Sequence, residues 1–407
     1  MKKVFICSIL LFCVSLSAFV VYNDIDYYAP ETAPNPEKNQ LDVYVPDGGA
    51  MDLPVLFFVH GGSWAYGDRS DYALLGEAIA DQEGYVTVII SYRLSDSLHP
   101  EVTHPDHIVD VAKAFAWTVN NISSYGGDPE KIFALGHSAG AHLVTLLSTN
   151  TSYLETAGVT VDDIIGTIAF NIGIYDIPKL YADCGMWASM GYEMMGFAQV
   201  FGPIADSSTN WYDASPKYHI GPNMPPSIFF VGTEDMEHII GGNFYGFITL
   251  PGEIQFLYDD MNAIQPTDTF WLTGDHNGGI SEFVYNPTSL ARTITMSFIE
   301  NILAGIEEPI YPDRFSIATY PNPFNSTVSI DFRGVGTPFG RYAKLNAKIF
   351  DLSGRLIEEL RAAEGAQRAS APTPLTWTPA DNVISGIYFV KLTYGDIEFY
   401  KRIIYLK

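Results

Sequence analysis

A chain of 407 residues, 47% of them apolar, can bury a large core and hold more than one domain. Its formal charge of −25 is uneven: residues 24–310 carry a net −30 and residues 311–407 a net +3. A central region this acidic argues against nucleic acid or anionic membrane as its partner, and the change of sign sets the C-terminal stretch apart as a separate module.

Residues 1–18 read as a signal peptide. Lys2 and Lys3 form the charged start, Val4 to Leu16 an apolar stretch short of a membrane span, and Ser15, Ser17 and Ala18 the small residues of a cleavage site. Cys7 and Cys13 leave with it, so Cys184 has no partner for an intramolecular disulfide. Leu41–Val45 alternates and ends at Pro46, as an edge strand does. Pro54–Val59 is a continuous apolar run suited to a strand buried on both faces, and it leads directly into His60-Gly61-Gly62-Ser63-Trp64. A helix is expected over 70–82, a strand over 85–91 and a long amphipathic helix over 107–123. Asp128-Pro129 then turns the chain toward the next strand.

That strand, Ile132–Leu135, is followed by Gly136-His137-Ser138-Ala139-Gly140 and by a small, apolar, helix-prone run. Strand, sharp turn and helix around Gly-x-Ser-x-Gly describe a nucleophile elbow. The turn lifts the Ser138 hydroxyl off the sheet and places the following N–H at a helix N-terminus, where it can bind an oxyanion. Ile164–Phe170 is another strand, and residues 171–226 lack a clear period, as a lid or insertion would. Within them Met186, Trp187, Met190, Tyr192, Met194, Met195 and Phe197 either line an apolar pocket or pack the insertion onto the body. Strands at 227–231 and 269–272 and a closing helix at 289–303 complete an α/β, doubly wound, mostly parallel sheet.

A serine nucleophile needs a histidine base held by a carboxylate, and both should follow strands at the carboxyl edge of the sheet. Asp235 follows one such strand and His276 the next, which gives the order Ser138, Asp235, His276. Glu234 and Glu237 compete for the acid and His238 for the base. His137 and His142 are too close in sequence to serve Ser138 well, and His60 more simply orients the glycine loop. His104 and His107 form a His-x-x-His without a third metal ligand nearby. The oxyanion hole falls to the N–H of Gly61 or Gly62 together with Ala139. No metal or cofactor is called for.

Taken together, His60–Trp64, Ser91-Tyr92-Arg93-Leu94, Gly127–Ile132, Gly136–Gly140 and Ala214-Ser215-Pro216 resemble the α/β-hydrolases of the esterase/lipase superfamily. The nearest likeness is to the feruloyl/acetyl esterases and kynurenine formamidases that share His-Gly-Gly-x-Trp. The resemblance covers about residues 35–305 and implies hydrolysis of a small-molecule or polysaccharide-linked ester through an acyl-enzyme on Ser138, with an acyl group on plant polysaccharide as one candidate. It also carries Asp235 and His276 over as triad partners. An aryl formamide or other amide substrate, or an inactive binding fold, are the alternative readings. The third glycine of many hormone-sensitive-lipase relatives is replaced by Ser63, and Met236-Glu237-His238 replaces the usual continuation after the acid.

Residues 311–407 change character. Tyr320-Pro321-Asn322-Pro323-Phe324-Asn325 opens short alternating strands at 328–332, 347–350, 387–393 and 399–405, with a turn at Asp351–Arg355, as in a small β-sandwich. This tail resembles the C-terminal sorting domain of the type IX (Por) secretion system. The likeness implies export across both membranes, with the outer-membrane secretion machinery as partner of residues 311–407. The expected organisation is a signal peptide at 1–18, a hydrolase domain at 19–310 and a sorting domain at 311–407.

Overall fold

The computed structural model describes residues 19–171, 174–183, 197–202, 210–232, 267–272, 276–305, 316–320, 325–333, 346–351, 355–361, 375–380, 382–394 and 397–407. The predicted signal peptide, Cys184 and six of the seven apolar residues of the expected lid (all but Phe197) lie outside them.

The first body is one eight-stranded sheet. Its strands are β1 (Phe19–Asp26), β2 (Gln40–Pro46), β3 (Leu53–Val59), β4 (Val86–Ile90), β5 (Gly127–His137), β6 (Gly166–Phe170), β7 (Ser227–Gly232) and β8 (Thr267–Leu272), in the spatial order β1-β2-β4-β3-β5-β6-β7-β8. The pairs β1/β2 and β2/β4 are antiparallel and every other pair is parallel. Alternation along β3 explains its unbroken apolar run. Val55, Phe57 and Val59 join the core that includes Ile108, Val111, Phe115 and Leu143, while Leu56 and Phe58 join the core that includes Leu75, Ile79, Phe298 and Ile299. The first core is built with α2 (Asp106–Asn121) and α3 (Ala139–Thr149), the second with α1 (Ala73–Gln82) and a closing helix at Leu290–Leu303.

Three expectations are corrected. β2 is not the edge of the sheet, because β1 pairs outside it from Phe19↔Pro46 to Asp26↔Gln40. The strand at 19–26 has no buried residue and turns polar in its second half, so it carries a weaker signal than the buried strands. The helix expected over 70–82 divides into a 3₁₀ turn at Arg69–Tyr72 and α1. The turn is capped by Asp68, whose side chain accepts from the Ser70 N–H, while the Asp68 N–H donates to Asp71. Asp128-Pro129 does not end a segment ahead of β5 but lies inside it. The pairing slips there from Leu53↔Gly127 to Val55↔Ile132, and the extra residues form a bulge.

The described parts of the insertion are short helices: α4 (Ile177–Asp183), α5 (Phe197–Phe201) and α6 (Asn210–Asp213), with a 3₁₀ turn at Pro216–His219. Phe197 is buried against Trp64 and Phe201, so this residue packs the insertion onto the body. A helix at Gly278–Tyr285, not read from the sequence, precedes the closing helix.

The C-terminal region is all β. A three-stranded antiparallel sheet joins Leu375–Trp377, Val328–Arg333 and Ser316–Tyr320, and a four-stranded one joins Leu356–Arg361, Asn346–Asp351, Gly386–Tyr394 and Ile397–Tyr405. It has its own core, with Val328, Ile330, Ile349, Trp377, Val390 and Ile403 at its centre.

Candidate active site

The elbow is formed by close backbone contact. Ser138 has φ +54° and ψ −119°, a conformation that costs an L-residue energy and persists only where the surroundings impose it. A Cβ on Gly136 would stand 2.4 Å from the Gly140 carbonyl oxygen, and one on Gly140 would stand 2.0 Å from that of Val59. Glycine at both positions lets the strand turn within one residue and lets α3 begin against the end of β3. The Ser138 N–H donates to the Phe170 carbonyl at 2.9 Å, tying the turn to β6.

His276, which follows β8, brings its Nε2 to 2.8 Å from Ser138 Oγ. The pair expected from sequence thus meets across 138 positions of chain, from two strand ends of one sheet edge. Asp235, Glu234, Glu237 and His238 lie outside the described residues.

His276 is held from behind. Its main-chain carbonyl faces His137 Nε2 at 3.1 Å and also accepts from Asn171 Nδ2. Asn171 follows β6 with φ +47°, and its own N–H donates to Phe230 O at 2.7 Å. Nδ1 of His137 lies 2.9 Å from the Tyr72 hydroxyl. Burial, followed by the neighbouring His276, lowers the His137 pKa to about 3, so the ring is neutral. The sequence sets His137 aside as a base, and its two ring nitrogens face the Tyr72 hydroxyl and the His276 carbonyl. Its bridging role, and those of Tyr72 and Asn171, were missed. A polar residue directly after a fully buried strand was the available signal for Asn171. Nothing local marked Tyr72.

The glycine loop packs on the nucleophile. A Cβ on Gly61 would stand 2.9 Å from the His137 carbonyl oxygen and 3.0 Å from Ser138 Cβ, and Gly62 takes φ +124°. His60 is fully buried, donates from Nδ1 to the Gly61 carbonyl at 2.7 Å, and stacks on Tyr92 with ring centroids 4.4 Å apart. It orients the loop, as expected. Ala139 opens α3 at the positive end of an eleven-residue helix.

Three other described histidines have other partners. His142 Nε2 donates to Ala214 O at 2.7 Å, His107 Nε2 lies 2.9 Å from Ser95 Oγ, and His104 Nε2 lies 2.6 Å from Asp213 Oδ2. Tyr153 also donates to Asp213, so residues 104, 153 and 213 join the insertion to the body. Among the described residues no three potential ligands are grouped as a metal site.

Residues 41–238 match the BD-FAE family model, and residues 318–406 match the secretion system C-terminal sorting domain. The chain is similar to the probable carboxylic ester hydrolase LipM of Mycobacterium tuberculosis, 34% identical over 204 residues, which are 48% of this chain and 45% of that protein. It spans about half the length of the curated relatives it matches. Among solved structures it is similar to an inhibited esterase B from Lactobacillus rhamnosis, with TM-score 0.55, 17% identity, and 71% of this chain and 89% of that one covered. A truncated carbohydrate esterase from gut microbiota is similar at TM-score 0.54 and 15% identity over 71% and 98% of the two chains. At such identities these structures speak for the fold. The sorting domain indicates export and release or cell-surface attachment through the type IX system. Residues 41–238, which hold the glycine loop and the elbow serine, are thus similar to the BD-FAE α/β-hydrolase esterases, and residues 318–406 to the secretion-system C-terminal sorting domains.

Proposed function

We propose that the chain is an exported serine carboxylic-ester hydrolase. The observation that carries this reading is the 2.8 Å approach of His276 Nε2 to Ser138 Oγ at a positive-φ elbow. Ser138 Oγ attacks the ester carbonyl as its proton passes to His276 Nε2. The tetrahedral oxyanion meets the N–H of Ala139 and of Gly61 or Gly62. Collapse expels the alcohol, which takes the proton from His276. Water then gives its proton to the same nitrogen and attacks the acyl-enzyme, and collapse releases the acid as His276 returns that proton to Ser138 Oγ. Asp235, four residues beyond Val231 in β7, is the proposed acceptor for His276 Nδ1–H.

Export places the substrate outside the cell, which favours an ester on extracellular material such as acylated plant polysaccharide over a cytosolic aryl formamide. Residues 311–407 are the proposed handle for the outer-membrane machinery. The test is hydrolysis of p-nitrophenyl acetate and butyrate, and of acetylated and feruloylated xylan, by the full chain beside Ser138→Ala. Loss of a triad nucleophile costs about 10⁶ in kcat. Turnover in the wild type that vanishes in Ser138→Ala is the expected result. Turnover that survives the substitution removes Ser138 as the nucleophile.

A further inference from the structure

We propose that Tyr72 and His137 form a positioning relay for the catalytic base, fixing the His276 main chain through donated hydrogen bonds. The inference rests on the reading of Ser138 and His276 as nucleophile and base.

The protons can be assigned without ambiguity. A carbonyl oxygen only accepts, so the His137 nitrogen facing His276 O, Nε2, carries the hydrogen. The ring is neutral, so Nδ1 is bare and only accepts. The Tyr72 hydroxyl, 2.9 Å away, must therefore donate to it. Tyr72 selects the tautomer of His137, and that tautomer alone can hold the His276 carbonyl. Asn171 Nδ2 donates to the same oxygen. Both lone pairs of the carbonyl are then engaged, one from the end of β5 and one from the end of β6.

Tyr72 is itself held firmly. It ends the capped 3₁₀ turn at Arg69–Tyr72, and its ring lies 4.7 Å from that of Phe58. Arg69 clamps that turn to the sheet, with Nε on Asp42 Oδ1 at 2.9 Å, the terminal guanidinium on Gln40 at 2.9 Å and on Asp24, and its N–H on Ser91 Oγ at 2.9 Å. The relay thus runs from a rigid turn, through His137 beside the nucleophile, to a catalytic histidine carried on a loop. Such a loop needs support, because a misplacement of about 1 Å at a catalytic group costs on the order of 10² in rate.

The test compares His137→Ala, His137→Gln and Tyr72→Phe in the full chain, with p-nitrophenyl butyrate as substrate, Ser138→Ala as the reference for the underlying reading, and thermal melting to follow folding. In His137→Ala, kcat is expected to fall about 10- to 100-fold with KM within about two-fold. His137→Gln keeps a donor N–H at the distance of Nε2 and is expected to recover most of that loss. Tyr72→Phe leaves the tautomer unselected and is expected to lower kcat about three- to ten-fold, again with KM unchanged. Wild-type kcat in His137→Ala, a change confined to KM, or a glutamine variant as slow as the alanine variant would each overturn the relay. If His137→Ala does not fold, the glutamine and phenylalanine variants decide: wild-type kcat in Tyr72→Phe, or a folded His137→Gln slowed as much as 100-fold, overturns it. Activity persisting in Ser138→Ala would instead overturn the reading beneath it.

Discussion

At Gly140 a single hydrogen atom separates a working elbow from a collision. Gly140→Ala would place a methyl 2.0 Å from Val59 O and 2.5 Å from His60 O, both backbone atoms that cannot swing aside. Overpacking of this kind costs about 1–3 kcal/mol or more. We expect urea unfolding to show a loss of at least about 2 kcal/mol, with esterase activity falling as α3 is pushed from β3. An alanine variant as stable and active as the wild type would mean that the elbow relaxes freely. At this scale the pairing of Ser138 with His276 was legible and the groups that support it were not. Ser138 and His276 stand at strand ends, where local pattern points to them. Tyr72 and Asn171 meet His137 and His276 only because the sheet order brings β3, β5, β6 and β8 to one edge, and no local pattern records that order.

Among the elements, the stretch Ser91–Leu94 has a structural explanation. Arg93 reaches across to α2, donating from Nε to Asp110 Oδ2 at 2.9 Å, from a terminal nitrogen to Asp110 Oδ1 at 2.7 Å, and to Asp106 at 2.8 Å. Tyr28 donates to the same Asp110 at 2.7 Å. The Asp110 side chain is fully buried, so the loop after β4, the segment after β1 and α2 meet on one carboxylate. Removing one partner of a buried pair strands the other charge, at about 3–5 kcal/mol. Asp110→Ala is therefore expected to lower unfolding free energy by about that amount in urea titration, and a loss below about 1 kcal/mol would refute the clamp. The same contrast between buried and edge segments governs how far the elements could be read. β3, β4, β5 and β6 are buried on both faces and announce themselves as apolar runs. β1 has no buried residue and three polar ones among its last four, and Leu375–Trp377 is three residues long. Neither carries enough pattern to stand out, and missing β1 made β2 look like an edge.

The whole molecule should be sensitive to acid, and the reason is the set of imidazoles in its interior. Burial lowers the pKa of His60 to about 4 and those of His107, His137 and His142 to about 3. Below the ordinary value of about 6.5, the unfolded chain takes up protons at these positions and the folded chain does not. Stability is therefore fully present above pH 6.5 and declines as pH falls toward 4, where His60 begins to protonate in the folded state. Each histidine contributes up to about 1.4 kcal/mol per pH unit in that window. Urea midpoints should fall between pH 7.5 and pH 5.5, before the carboxylates titrate. A midpoint constant over that range would mean that these rings are charged or hydrated in the native state.

The close seating of Gly140 on Val59 and His60, and of Gly61 on Ser138, has a consequence for turnover. The nucleophile helix and the glycine loop cannot move apart without breaking main-chain contact, so the amides proposed to face a developing negative charge are oriented when the chain folds. Little solvent or backbone has to rearrange as that charge appears. The reorganisation that water would demand at each catalytic cycle is met here in advance, in the geometry of a turn that only glycine can make.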